Sequence, residues 1–456
     1  MNETDDLKLL RLQEEKKYIN TDFIEGLARQ LIDELVHWAT REIFTPRGGE
    51  LAFEITLGPP NAGVAVSPNR PFHPRMEFRS SLIADIYADA FSIVSRRLAE
   101  ETDTLNHFNE TERFRDCRVR FTSPLPELYE SNVAELFRPV CETFVARNLK
   151  GRDDGRQLRP DDVRCRFIMF ELMLVWTFFH ELGHVVQGHY RMHSKGPSKV
   201  SEWGLLEIED PAPIHANHVG GIASATSGKG VVPDLVAQAR ELMADAEAMD
   251  LTLKYLVMRN RLNFNVWYLL LCSMGCMFQR FYTSYPANLQ LSHARHPHPA
   301  VRDEASQLLG INWVADYLVA SKIVQHREEG ATPLTYLSVR ASLVTGLFRA
   351  TRIEKRDSPD HLPSYMGLIR DGVDQQQAYL RALLPEIERQ LPMALEHHLI
   401  DMHSLGYWFE IIQATANVAG QVDSHGNAPS QSHAPFRPDG MPPVVHRPKG
   451  CADVRG

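Results

Sequence analysis

The chain has 456 residues, 43% of them hydrophobic, which is enough to bury a large core and too apolar for a disordered protein. Its formal net charge of -9 is spread over windows in which acidic and basic residues mix. It therefore offers no basic stripe to nucleic acid and no basic face to a membrane surface.

The opening stretch, MNETDDLKLLRLQEEKKY, lacks the apolar core and small-residue cleavage site of a signal peptide. Six cysteines, Cys117, Cys141, Cys165, Cys272, Cys276 and Cys451, form no CxxC and no paired-loop framework. Both features lead us to expect a cytoplasmic protein. Residues 1–45 read as an N-terminal helical segment, with Phe23, Leu27, Leu31, Leu35 and Trp38 at three- and four-residue spacing. Between about 50 and 125 the texture changes to short alternating runs, ELAFEITL and CRVRFTSP, punctuated by GPPNAG and SPNRPFHP. A small sheet is expected there, with 117–122 as the first candidate for an edge strand and ELAFEITL as the second.

From about 131 the pattern is helical. Two apolar runs, 167–179 and 266–278, span 13 residues each, short of the about 20 that a bilayer requires, and read as core helices. A helix is expected over 161–189, started by Pro160 and Asp161 or Asp162. A segment rich in Gly, Ser and Pro over 192–232 is too long for an ordinary connector and is expected to be a lid or binding loop, or a mobile segment. A second helix follows over 233–258. Residues 311–418 form a helical C-terminal region without readable chemistry, and 419–456 a proline-rich, disordered tail. The expected class is α+β and predominantly helical.

Within the first of these helices stands WTFFHELGHVVQGHY, residues 176–190. His180 and His184 lie one turn apart on one face, so both imidazoles can reach a single metal ion, with Glu181 rotated by about 100° from that line. This is H-E-x-x-H, the arrangement in which two histidines hold zinc and the glutamate takes a proton from water. Unpartnered polar groups in so apolar a run would each cost about 1–3 kcal/mol, so a structural role alone does not account for them. Gly183 costs about 1 kcal/mol in a helix, so either a neighbouring element approaches closely there or the glycine is simply tolerated.

A third ligand is needed. His189 follows His184 by five residues, whereas the elongated metzincin pattern requires six, where Tyr190 stands. His215 and His218 lie in the long loop. Glu241 and Asp245 share one face of the helix over 233–258. Together with Ala244 they resemble the E-x-x-A-D element of gluzincin peptidases. That resemblance implies a fold with a zincin-like core over 46–310, Glu241 as third zinc ligand and Asp245 as support for a ligand histidine. Farther on, His296, Pro297 and Arg302 resemble the H-P-x-x-x-x-R segment of CAAX-protease and HtpX-like gluzincins. It implies a site in which His296 donates to a developing oxyanion and Arg302 braces a carboxylate, with His293 and His298 as competitors for the histidine's place. Among soluble proteins the helix is similar to that of the Lit phage-exclusion peptidases. The expected function is zinc-dependent hydrolysis of a peptide bond in a protein or peptide substrate, with Glu181 as general base. The other readings are a non-catalytic metal module acting through a regulatory protein partner, and an amidohydrolase on a non-peptide amide.

Overall fold

The computed structural model describes residues 21–67, 69–95, 125–149, 160–191, 206–207, 234–280, 296–349 and 373–417, with Cys117, Val119, Phe121 and Leu289. Its elements follow from local patterning. Helix α1 (Thr21–Ala39) buries Ile24, Leu27, Ala28, Leu31, Ile32, Leu35 and Ala39, one stripe at helical spacing. Strands β1 (Ala52–Thr56), β2 (Ala62–Ser67) and β3 (Arg70–Arg79) come next, and β3 runs directly into α2 (Ser80–Ser95). Helix α3 (Arg138–Leu149) leads to α4 (Pro160–Val186), whose first turn carries Asp161 and Asp162 where the helix dipole favours them.

The sheet order is β1-β3-β2-β4, where β4 is the pair Leu206–Glu207. β1 is parallel to β3, while β2 is antiparallel to both β3 and β4, the last through Ala65 opposite Glu207 and Val66 opposite Leu206. Period-2 alternation puts Val64 and Val66 of β2 and Met76 and Phe78 of β3 in the core, and β2 packs on α4. The class is α+β and predominantly helical, as expected, and ELAFEITL contributes β1. The preferred edge strand, 117–122, is not seen: Cys117, Val119 and Phe121 are not in a strand, and its other residues lie outside those described. The 192–232 segment, apart from β4, and the 419–456 tail also lie outside them.

The remaining helices enclose α4. Helix α5 (Leu235–Met258) begins at Asp234, whose side chain accepts from Ala237 N at 3.0 Å. After it come α6 (Phe264–Arg280), α7 (Pro299–Ala320), α8 (Arg327–Arg349), α9 (Val373–Glu396) and α10 (Leu405–Asn417). α4 packs against α1, α2, α5 and α6, so it is apolar on every side, and both apolar runs of the sequence are core. Among the described residues no helix is long and apolar enough to cross a membrane.

Glu171, the charged residue in the first of those runs, is fully buried. Its carboxylate accepts from Arg261 Nη1 and Nη2 at 2.5 and 2.7 Å and from Tyr255 OH at 2.7 Å. Arg261→Met should leave that charge uncompensated and lower unfolding free energy by about 3–5 kcal/mol, whereas the double change with Glu171→Met should recover most of it. Urea unfolding of the three proteins checks this. Equal losses in the single and double variants would contradict it.

Candidate metal centre

The site is built where α4 and α5 cross. A Cβ at Gly183 would lie 3.2 Å from Ala244 O and 3.2 Å from Glu247 Cβ, so the missing side chain lets the two helices approach. Ala244, fully buried, supplies the small partner on the other side. This contact brings His180 and His184 of α4 together with Glu241 of α5. His180 Nε2 lies 3.4 Å from His184 Nε2, and the two stand 3.5 Å from Glu241 Oε2 and Oε1 respectively. A tetrahedral ion with bonds of about 2.0–2.1 Å sets its donor atoms about 3.3 Å apart; the two imidazole nitrogens match that spacing, and one atom from each of the three residues lies within 4.8 Å of the others. All three side chains are buried, and they could hold a metal.

Each donor is held from behind. His180 Nδ1 lies 3.0 Å from Asp245 Oδ1, and Arg302 grips Asp245 with a two-pronged fork, Nε to Oδ2 and Nη2 to Oδ1, both at 2.7 Å. His296 Nδ1 donates to Glu241 Oε2 at 2.7 Å, and Arg302 Nη2 stands 3.4 Å from that same oxygen. Trp176, one turn before His180, stacks on its ring at a centroid distance of 5.1 Å. His184 Nδ1 meets His189 Nδ1 at 2.8 Å.

The electrostatics show what a cation would replace. Burial disfavours charge on His180 in the metal-free protein. Hydrogen bonds to Asp245 and Glu241, and their charges, outweigh it and hold the imidazole up at about 10. A proton thus stands in for the ion. Burial, together with the His180 charge and against that of Glu241, pushes His184 down to about 3. Glu181 is pushed up to about 7, first by burial and then by Glu241, with His180 and Arg302 opposing. From Cys165 to Tyr190 every residue is buried except Glu181, which keeps partial exposure. The solvent side of the donor cluster is therefore marked by a carboxylate of raised proton affinity.

The structure brings together His180, Glu181, His184, Glu241, Asp245, His296 and Arg302. His189 touches His184 on the side away from the other donors. His298 caps α7, its Nδ1 accepting from Ala300 N at 3.1 Å. His215, His218 and His293 lie outside the described residues. The stacking of Trp176 was overlooked in the sequence, although its four-residue offset from His180 was a usable signal. The His184–His189 contact had no such signal. Compared with known proteins, the chain matches no protein-family model, no curated protein and no solved structure. The assignment of the site therefore stands on its geometry.

Two outcomes are expected. Gly183→Val would force Ala244 and Glu247 away, and the variant should hold far less metal than the parent while remaining folded; full metal content would remove the close-approach argument. Because His180 is protonated near neutral pH and must lose that proton to ligate, zinc binding should release about one proton and tighten as pH rises toward 10. Calorimetry in buffers of different ionisation enthalpy measures the release, and a buffer-independent enthalpy would contradict it.

Proposed function

We propose that the chain is a zinc-dependent metallopeptidase of gluzincin type that hydrolyses a peptide bond in a protein or peptide substrate. The observation that carries this reading is the buried convergence of His180, His184 and Glu241 beside a partly exposed Glu181. Two imidazoles and one carboxylate suit zinc, and three protein donors leave a fourth position for water or substrate. The ion, when bound, supplies Lewis-acid activation of water and of the scissile carbonyl.

The chain's own groups perform the rest. Glu181, raised in proton affinity by burial, takes the proton of the attacking water and passes it to the leaving amine. Asp245, clamped by Arg302, holds the His180 ring by its Nδ1 edge, so that Nε2 faces the ion. His296, partly exposed beside Glu241, would donate to an oxyanion forming there. A zincin-like core is supported by β2 lying on the metal helix. An extended substrate would pair along an outer strand of the sheet, and β1 is one among the described residues. The reading as a closed, four-ligand structural site loses His189 as its fourth donor, since that ring meets His184 at Nδ1, away from Nε2.

Glu181→Gln should keep about one zinc per chain and lose about 10²–10⁴-fold in hydrolysis of a mixed peptide library. Glu241→Ala should lose most of its zinc. Elemental analysis of parent and variants, beside the library assay, tests both. Parental turnover in Glu181→Gln would remove the mechanism, and parental zinc in Glu241→Ala the ligand set.

A further inference from the structure

The end of α4 turns back on itself. Gln187 N donates to Gly183 O and Gly188 N to Val185 O, both at 3.0 Å, and Gly188 adopts a φ of 66°. A Cβ at that position would lie 2.8 Å from His397 Cβ, so both the backbone conformation and the packing require glycine. A residue five places beyond His184 on a continuing helix would sit about 140° around from it. The turn at Gly188 instead brings His189 up against His184, with both rings buried and their Nδ1 atoms 2.8 Å apart.

Only one proton fits between two imidazole nitrogens at that distance. His184 Nε2 faces His180 Nε2 and Glu241 Oε1, and its lone pair is the one offered to an ion, so the His184 proton is on Nδ1. His189 Nδ1 must then be the acceptor, with its own proton on Nε2. We infer that His189 is a positioning residue that accepts the Nδ1 proton of His184, fixes that ligand's tautomer and ring plane, and thereby sets metal affinity. This inference rests on the metal-centre reading in assigning Nε2 as the donor to the ion. It adds a neutral imidazole as the partner of the second ligand histidine, where the first has a carboxylate.

Two measurements on the full chain test it. Nitrogen NMR of metal-free protein labelled on histidine, with His189→Asn and His184→Asn used to assign signals, reads the tautomers directly. A proton on Nδ1 of His184 and on Nε2 of His189 is expected, and the reverse pattern would overturn the inference. Chelator competition then measures zinc affinity. His189→Leu should weaken it about 10–100-fold and shift the visible spectrum of the cobalt-substituted protein. His189→Asn, whose amide oxygen can take the place of Nδ1, should restore most of both, and melting curves establish that each variant is folded. Parental affinity in folded His189→Leu, or equal losses in the Leu and Asn variants, would show that the ring only fills space. If the parent itself takes up no zinc, the metal-centre reading fails, and the tautomer pattern still decides which ring accepts.

Discussion

The site depends on how closely α4 and α5 can approach. His180 and His184 belong to one helix and Glu241 to another, and helix axes usually stay about 8–10 Å apart according to the side chains at the contact. A glycine at 183 facing an alanine at 244 removes the side chains that would hold them apart, since a Cβ at 183 would lie 3.2 Å from Ala244 O. One turn farther along, Gln187 Nε2 donates to Met243 O at 2.9 Å and reaches Glu247 Oε2 at 3.4 Å, so the helices are tied at a second point. Metal–ligand distances tolerate only about 0.2 Å of error, and this second tie adds to the contacts that fix α5 against α4.

A site this deep must also answer for its charges. The stretch ELMADAEAMD carries Glu241, Asp245, Glu247 and Asp250, and all four are buried, so the helix has no solvated acidic face there. Glu241 and Asp245, four residues apart, face the donor cluster. Glu247 and Asp250 face the C-terminal region: His398 Nε2 meets Glu247 Oε2 at 3.0 Å, while Ser404 and Trp313 donate to Asp250 Oδ1 at 2.8 and 3.0 Å. Leu399 N also donates to Val186 O at 2.8 Å, closing the end of the metal helix. The C-terminal region, in which no chemistry could be read, thus satisfies polar groups on the two helices that carry the candidate ligands, chiefly through the 397–404 connection between α9 and α10. Removing partners from buried charges costs far more than the pairs contribute, which makes the outer segment part of the site's support.

What was legible in the sequence is what local periodicity controls. The four-residue offsets His180–His184 and Glu241–Asp245 each place two side chains on one helix face, and the structure keeps those faces. Arg302 could be given a carboxylate partner because a buried guanidinium requires one. Features that need chain reversal or long-range pairing were not legible. The His189 contact depends on a left-handed turn at Gly188, and helix periodicity points that residue elsewhere. Strand β4 is two residues from a segment with no strand pattern, paired to β2 far earlier in the chain. The run at 117–122 alternates like a strand, yet Cys117, Val119 and Phe121 are not in one. Their apolar side chains pack against the core, which explains the alternation without a ladder.

The two ligand histidines are supported unequally, and the inequality bears on the ion they would hold. A carboxylate behind an imidazole raises its basicity and passes negative charge toward the metal. Asp245 does this for His180, but Arg302 takes both of its oxygens and offsets most of that charge. Behind His184 stands a neutral ring. Glu241 would then be the one carboxylate to touch the ion, and its charge is partly offset by His296 and Arg302. A dication in such a setting keeps most of its positive charge for the ligand in its open position. Under the proposed function, that is the condition in which water beside Glu181 would give up a proton most readily.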